Sequence, residues 1–174
     1  MDERRRRFEQ LVLPHLDAAY NLARWLARAS PEAEDTVQDA MLRAFRAFDG
    51  FRGGDAKPWL LAIVRNCHYT AMERKKRQMS IPLPENDDDT ALVAPDADPE
   101  AAAVEAAEVR RLNLAVSALP AEFRETLVLR EMEDMSYKQI AEVTGAPIGT
   151  VMSRLARARA LLRERWLANE EAVP

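Results

Sequence analysis

The sequence of 174 residues is poor in cysteine, glycine and aromatic residues. A single cysteine, Cys67, cannot form an internal disulfide. No apolar run approaches the ~20 residues that a membrane helix needs, and the charged N-terminus does not resemble a secretory signal. We therefore expect no membrane insertion and a cytoplasmic location. The 5 glycines, set among many Ala, Leu, Arg and Glu residues, favour helix over sheet.

Groups that could carry out catalysis are also scarce. The soft metal ligands are His15, Cys67 and His68, and their spacing does not fit tetrahedral zinc. The sequence has no glycine-rich phosphate loop and no arguable Ser/His/Asp arrangement. We therefore expect no metal, no cofactor and no enzymatic activity.

The acidic residues are concentrated in one block. Residues 1–79 hold 15 basic and 11 acidic side chains, residues 80–108 hold 9 acidic and no basic ones, and residues 109–174 hold 10 basic and 9 acidic ones. Prolines and clustered like charges in the middle block disfavour a packed element. One interpretation is a solvated spacer, and the other is a segment that mimics nucleic acid inside a partner's channel.

This charge distribution predicts two helical domains joined by a flexible acidic linker. We place the first domain at 1–79, the linker at 80–104 and the second domain at 105–174. In the first domain, apolar residues recur at helical spacing from Phe8 to Leu26, and Pro14 marks a kink or a new start. Further helices are predicted to start near Ser30 and Pro58.

The second domain contains the pattern of a helix-turn-helix. Ser136 and Gln139 have the spacing of a capping box at the start of a short helix. Gly145 suits the left-handed conformation of the turn, and Pro147 restarts the chain. The helix that follows is rich in arginine, and such a face can enter the major groove of DNA. An ordinary solvated arginine-rich helix is the alternative.

Several motifs resemble the sigma-70 family of RNA polymerase sigma factors, and most closely its extracytoplasmic-function (ECF) group. In the second domain they are Leu119-Pro120, Phe123-Arg124, Leu129-Arg130-Glu131, Ser136-Tyr137, Ile140-Ala141 and most of the residues from Gly149 to Arg159. In the first domain they are the runs 33–40, 43–46 and 51–53 and the segment from Trp59 to Asn66. Because two motif sets occur in the family's order, the resemblance covers nearly the whole chain outside the linker.

The resemblance implies which residues meet which partner. The first domain would be sigma region 2, which binds the beta-prime clamp of core RNA polymerase and the melted −10 element. The second would be region 4, which binds the beta flap and the −35 element. Residues matching the core-binding helix are Asp35, Gln38, Asp39, Arg43 and Arg46. Residues matching the −10 contacts are Arg65, Asn66, Arg74, Lys75 and Lys76. Residues matching the −35 contacts are Ser136, Tyr137, Lys138, Met152, Ser153, Arg154, Ala156, Arg157 and Arg159.

Two of these positions depart from the family's usual residues. Relatives often have a basic residue at position 152 and a larger one at 156, so Arg154 and Arg157 should carry more of the base readout here. An intrahelical Asp39–Arg43 pair is the alternative for the docking face, and a helix cap is the alternative for Asn66. The family also implies an anti-sigma partner and a role in a stress or envelope response.

Two rival functions remain open from the sequence. A stand-alone helix-turn-helix regulator would bind duplex DNA as a dimer, but it would leave the motifs of the first domain unexplained. An enzyme or sensor with an appended DNA-binding domain would need a ligating or catalytic cluster in the first domain, and the sequence offers none.

Overall fold

The computed structural model describes residues 2–28, 30–78 and 99–171. Within these ranges the secondary structure is helical and contains no strand, which confirms the predicted all-α fold with two helical domains. The helices are α1 (Asp2–Val12), α2 (Leu16–Ala27), α3 (Ser30–Ala47), α4 (Ala56–Gln78), α5 (Pro99–Ser117), α6 (Ala121–Leu127), α7 (Tyr137–Thr144) and α8 (Ile148–Glu171).

In the first domain α2, α3 and α4 all pack against one another. The facing surfaces are rich in alanine, including the fully buried Ala19, Ala23 and Ala40. Because the distance between two helix axes depends on the side chains at the contact, these alanines allow close approach. Leu60 and Leu61 of α4 are 0% exposed, and burial of each contributes about 1.5–3 kcal/mol.

Two prolines mark helix starts in this domain. Pro14 lies in a short 3₁₀ turn, Leu13–His15, between α1 and α2, so the predicted interruption is confirmed. Helix α4 begins at Ala56, slightly before the predicted start at Pro58. The reason is that Asp55 Oδ1 accepts a hydrogen bond of 3.0 Å from the Lys57 backbone N–H. A proline is tolerated in the first turn because its missing N–H has no intrahelical partner there.

The second domain contains the predicted helix-turn-helix in α7 and α8. The Ser136 hydroxyl accepts from the Gln139 N–H at 3.1 Å, and the Gln139 side chain accepts from the Ser136 N–H at 3.0 Å, which completes the capping box. Gly145 ends α7 with φ of 71° and donates its N–H to the Ala141 carbonyl. Glycine adopts this left-handed conformation without steric strain because it has no Cβ.

The segment after α6 differs from the sequence prediction. The apolar residues Phe123, Leu127 and Val128 predict a single helix from about Ala121 to Glu131. In the structure α6 ends at Leu127 and continues as a wider π-helical turn over Val128–Met132. In this turn the Glu133 N–H donates to the Val128 carbonyl at 3.1 Å, five residues back. Glu133, at the end of the turn, lies against the first domain.

The two domains pack on each other. Helix α4 contacts α7, and α2 contacts both α6 and the wide turn that follows it. Buried apolar residues from both domains belong to one cluster. The sequence predicts two domains joined by a flexible linker and carries no signal for a contact between them, so this packing is a finding of the structure.

Most of the predicted linker lies outside the described residues. Helix α5 begins at Pro99, so residues 99–104 of the segment assigned to the linker are helical. None of the helices in the described ranges is long and apolar enough to cross a membrane.

The capping box gives a stability prediction. Ser136→Ala removes the hydroxyl that accepts from the Gln139 N–H, so we expect the free energy of unfolding to fall by about 1 kcal/mol. Urea denaturation followed by circular dichroism measures this change. Ser136→Asp, which also caps well, should restore most of the loss; equal stability of the alanine and aspartate variants would contradict the assignment.

Candidate nucleic-acid interface

The first half of α8 has one buried side and one exposed side. Val151, Leu155 and Ala158 are 1%, 1% and 0% exposed, and they hold α8 against α6 and α7. Because residues three and four apart share a helix face, the opposite side is turned outward. It carries four of the predicted −35 residues, all exposed: Met152, Ser153, Ala156 and Arg157.

The three arginines of α8 that belong to the predicted −35 set differ in their surroundings. Arg157 is exposed and has no ion pair or hydrogen bond within the described part of the chain. Arg154 is half-buried, and its Nη2 lies 3.9 Å from Glu122 Oε2. Arg159 donates to Glu131 Oε1 at 2.7 Å, which raises the pKa of its guanidinium. Only Arg157 of the three therefore presents an uncommitted guanidinium fork on the outer face.

The start of α7 brings together the other three predicted −35 residues. Lys138 is exposed, whereas the Ser136 hydroxyl is used in the capping box. The Tyr137 ring lies under the Arg130 guanidinium, 4.9 Å from ring centroid to Cζ. Backbone N–H groups and a lysine at a helix N-terminus suit a phosphate contact better than base readout.

Four of the five predicted −10 residues are exposed along α4. Asn66, Arg74, Lys75 and Lys76 are exposed, and Lys75 forms an ion pair with Glu32 of α3. Asn66 lies well inside α4, which spans Ala56–Gln78, so the alternative that it caps a helix is wrong. Its amide is free to offer both a donor and an acceptor to a base edge.

Arg65, the fifth of these residues, is engaged by the second domain. Its Nε and Nη2 donate to Glu125 Oε2 and Oε1 at 2.9 and 3.0 Å. The Tyr69 hydroxyl donates to Glu125 Oε2 at 3.1 Å, and the Arg65 guanidinium lies 4.7 Å from the centroid of the Tyr69 ring. The Glu125 side chain is 1% exposed, so this carboxylate is buried with its partners.

Burial and Glu125 shift the pKa values in this cluster. Burial alone would lower the pKa of Arg65, but the hydrogen bonds and negative charge of Glu125 outweigh it and raise the pKa. Burial, together with the charge of Glu125 and the hydrogen bond to it, raises the pKa of Tyr69 to about 12. Both partners therefore keep their protons at neutral pH. Sequence reasoning missed Tyr69 and Glu125 because no local pattern marks them.

A second polar contact between the domains centres on Glu133. Lys57 Nζ lies 3.1 Å from Glu133 Oε2 and donates to the Glu133 carbonyl at 2.8 Å. Asn21 Nδ2 donates to Glu133 Oε1 at 2.8 Å. Gln139 Nε2 also donates to Asp55 Oδ2 at 3.3 Å, near the loop before α4.

That loop, residues 51–55, joins an aromatic cluster to the second domain. Phe51 stacks on Phe48 at 6.0 Å between ring centroids and lies 5.0 Å from the Trp59 ring. Between the loop and α7 lies a crevice whose walls include Arg52, Trp59 and Lys138. The motif run 51–53 thus faces the helix-turn-helix in this arrangement.

The predicted polymerase-binding residues lie together on α3. Asp35, Gln38, Asp39 and Arg46 are exposed, and Arg43 is half-buried with its Nη2 3.2 Å from Asp39 Oδ2. The intrahelical pair is therefore present, but it leaves the rest of the face exposed to a partner.

An apolar residue that the sequence analysis missed lies on the same face of α3. Leu42 is 58% exposed, and it follows Asp35 by seven residues and Asp39 by three, which is helical spacing. The sequence indicates this residue as a leucine that lies outside the buried apolar face of α3. Leu42 thus adds one apolar side chain to the charged outer face of α3.

Within the ranges that the structure describes, no group of three or more His, Cys, Asp and Glu residues is placed to hold a metal ion. Cys67 and His68 are buried in α4, and burial raises the pKa of the Cys67 thiol to about 11. Burial, and after it the positive charge of Arg124, lowers the pKa of His68 to about 4. Both groups are therefore neutral at neutral pH.

Both domains match known families. Residues 11–78 match the family described as Sigma-70 region 2, and residues 110–162 match the family described as Sigma-70, region 4. The first range includes α2, α3 and α4, and the second includes α6, α7 and most of α8.

Relatives similar along most of the chain are named as ECF sigma factors. The chain is 34% identical over 157 residues to the ECF RNA polymerase sigma factor SigE of Mycolicibacterium smegmatis, covering 90% of this chain but only 60% of that relative. It is 38% identical over 156 residues to the ECF RNA polymerase sigma factor SigM of Mycobacterium tuberculosis, covering 89% and 74%. The chain thus spans less than two thirds of the length of SigE.

Two solved structures are similar to this fold. One is the sigma factor RpoE in complex with the anti-sigma factor NepR from Bartonella quintana, with a TM-score of 0.76 at 30% identity, covering 91% of this chain and 95% of that one. The other is CnrH in complex with the cytosolic domain of CnrY, with a TM-score of 0.65 at 27% identity, covering 94% and 90%.

The buried His68 gives a prediction about acid stability. Its pKa is lowered from 6.5 to about 4 in the folded chain, so below about pH 6.5 the unfolded chain binds a proton that the folded chain does not. The contribution of neutral His68 to the free energy of unfolding is therefore complete above pH 6.5. It is lost as the pH falls towards 4, and the free energy of unfolding drops by up to about 1.4 kcal/mol per pH unit.

Urea unfolding at a series of pH values tests this expectation. His68→Gln should flatten the loss of stability between pH 6.5 and 4 relative to the parent. Parallel pH curves for the parent and His68→Gln would show that His68 is not responsible.

Proposed function

This chain belongs to the ECF group of the sigma-70 family of RNA polymerase sigma factors, and from this we propose that it binds core polymerase and directs it to promoters. The observation that carries the proposal is the exposed outer face of α8, held by a buried inner face and carrying an uncommitted Arg157. Such a face fits the major groove, where an arginine can bind a guanine through two hydrogen bonds.

We place the −35 contacts in the second domain, within residues 105–174. Met152, Ser153, Ala156 and Arg157 would meet bases and backbone in the groove. Lys138 and the N-terminus of α7 would hold a phosphate, which fixes the register of α8 on the duplex. Arg154, which faces Glu122, would join Arg157 in base readout once its pair rearranges, and Arg159, which faces Glu131, would then act as a phosphate contact.

We place the −10 contacts on α4 in the first domain, within residues 1–79. Asn66 would read an unstacked base, since its exposed amide offers a donor and an acceptor. Arg65, Arg74, Lys75 and Lys76 would pair with phosphates and make binding salt-dependent. A linker that ends where α5 begins, at Pro99, would then span the distance between the two promoter elements.

The outer face of α3 would bind the beta-prime clamp of core polymerase, and the second domain would contact the beta flap. Asp35, Gln38, Asp39 and Arg46 are exposed on α3, and Leu42 adds an apolar contact among them. Protein interfaces have a polar rim around a more apolar centre, and Leu42 among its charged neighbours fits this arrangement. The chain would act as a binding subunit in the cytoplasm and carry out no chemistry of its own.

An anti-sigma protein is the regulatory partner that we propose, in a stress or envelope response. The support is that both similar structures are complexes with a second protein, and that RpoE is bound there to an anti-sigma factor. A TM-score of 0.76 over 91% of the chain includes both domains. The arrangement of the domains here is therefore similar to that of RpoE in its complex.

Run-off transcription with purified core polymerase tests the function. Core plus this chain should give defined start sites that core alone does not give. Asp39→Arg reverses a charge on the α3 face and should reduce the yield at limiting chain concentration, whereas Glu9→Arg on α1 should not. Promoter binding by the chain alone, with no effect of core, would instead support a stand-alone helix-turn-helix regulator.

Arg157 gives a prediction about sequence readout. Arg157→Ala should weaken the holoenzyme's promoter binding by about 1–3 kcal/mol. The variant should also lose its base preference at one −35 position and keep it at the others. Affinities on a panel of −35 point variants measure this effect. Arg165→Ala, an exposed arginine farther along α8, is the matched control. A uniform loss on all −35 sequences would make Arg157 a phosphate contact.

A further inference from the structure

We propose that this chain closes on itself, with Glu125 of the second domain occupying the place of a DNA phosphate on Arg65 of the first domain. The interaction surface is the side of α4 that carries Arg65 and Tyr69, and its occupant is helix α6 of the same chain. The inference deepens the proposed function, because it names what holds a −10-binding residue before DNA arrives.

The geometry of the Arg65–Glu125 contact is that of an arginine fork on an oxyanion. Two guanidinium nitrogens donate to the two carboxylate oxygens at 2.9 and 3.0 Å. Arginine binds a phosphate through the same pair of parallel hydrogen bonds. A guanidinium engaged in this way with Glu125 is unavailable to the DNA backbone, so the contact and the −10 phosphate compete for one group.

Burial makes this contact more than a surface ion pair. The Glu125 side chain is 1% exposed and that of Arg65 is 22% exposed, whereas the Arg5–Glu9 pair on α1 is 73% and 45% exposed. Solvent and salt screen an exposed pair strongly and a buried pair much less. The Tyr69 hydroxyl adds a third hydrogen bond to the same carboxylate.

The remaining contacts close the same surface. Lys57 and Asn21 of the first domain hold Glu133 at the end of the wide turn, and Gln139 of α7 reaches Asp55 beside the loop before α4. Helix α7 packs along α4. Because both domains belong to one chain, this docking is intramolecular, which favours it over a separate partner that makes equal contacts.

The closed arrangement leaves other surfaces accessible. Asp35 and Asp39 on α3 and Arg157 on α8 are exposed. Core polymerase and −35 DNA can therefore each make a first contact with one domain while Arg65 is still covered. Opening is needed for the −10 contact and for the two domains to reach their separate sites on polymerase and along the promoter.

A distance measurement between the domains tests the closure without any partner. We place one spin label at Gln10→Cys on α1 and another at Ala168→Cys on α8, both exposed, in a Cys67→Ala background. Double electron–electron resonance should give one narrow distance distribution for the parent. Glu125→Gln keeps the shape but removes the charge, and it should broaden the distribution towards longer distances.

Controls separate the proposed contact from general effects of charge or folding. Glu108→Gln removes an exposed carboxylate on α5 and should leave the distribution narrow. Lys57→Gln, at the second contact, should broaden it in part, and this variant leaves the buried carboxylate in place. An unchanged distribution in both Glu125→Gln and Lys57→Gln would overturn the proposal, provided that circular dichroism shows both variants folded. Were Glu125→Gln to unfold, a narrow distribution in Lys57→Gln would overturn it.

Binding to core polymerase provides the second readout. Only the open fraction can span both sites on polymerase, so the apparent affinity for core is proportional to that fraction. With an open fraction of about 10% in the parent, Glu125→Gln should raise the apparent affinity about tenfold. Glu108→Gln should match the parent. Failure of the parent to bind core would count against the proposed function and leave the distance result standing. A broader distance distribution for Glu125→Gln with unchanged core affinity would support the closed arrangement and overturn the competition between closure and polymerase binding.

Discussion

The buried carboxylate of Glu125 determines how the two domains meet. A carboxylate that is 1% exposed requires partners, because an unpaired buried charge costs about 3–5 kcal/mol. Arg65 and Tyr69 supply three hydrogen bonds, and both come from the other domain. Desolvation offsets much of the attraction in such a pair, so we infer that it contributes more to the choice of arrangement than to overall stability.

Each outward face depends on the buried face behind it. Val151, Leu155 and Ala158 fix the rotation of α8, and with it the direction of Arg157. On α3, Val37 and Ala40 are 1% and 0% exposed, which turns the charged residues outward. A helix cannot rotate to present different residues without moving its apolar stripe into water. The buried residues of each helix therefore fix which of its side chains point outward.

Sequence signals of short range predicted the structure well, and pairings across long separations were not predictable. Pro14, Gly145 and the Ser136 capping box act within one or two helical turns, so their spacing alone identifies them. Arg65 and Glu125 are 60 residues apart, and nothing in the periodicity of either helix links them. The assignment of residues to the interfaces with polymerase and DNA remains a prediction. The structure places the polymerase set on α3, the −10 set on α4, and the −35 set at the start of α7 and on α8.

The domain contact has a polar part beside an apolar one. Buried apolar residues of both domains share one cluster, and charged and amide side chains join the domains at Glu125, Glu133 and Gln139. Contacts between domains within a chain resemble transient interfaces and are more polar than permanent ones. A polar contact can be replaced by another polar partner, and a phosphate offers Arg65 the same oxygens that Glu125 offers. A wholly apolar interface would have no such substitute, and separating it would expose apolar surface to water. The polar part of this contact, at Arg65 and Glu125, is therefore what allows the same surface of α4 to serve the second domain and, after opening, nucleic acid.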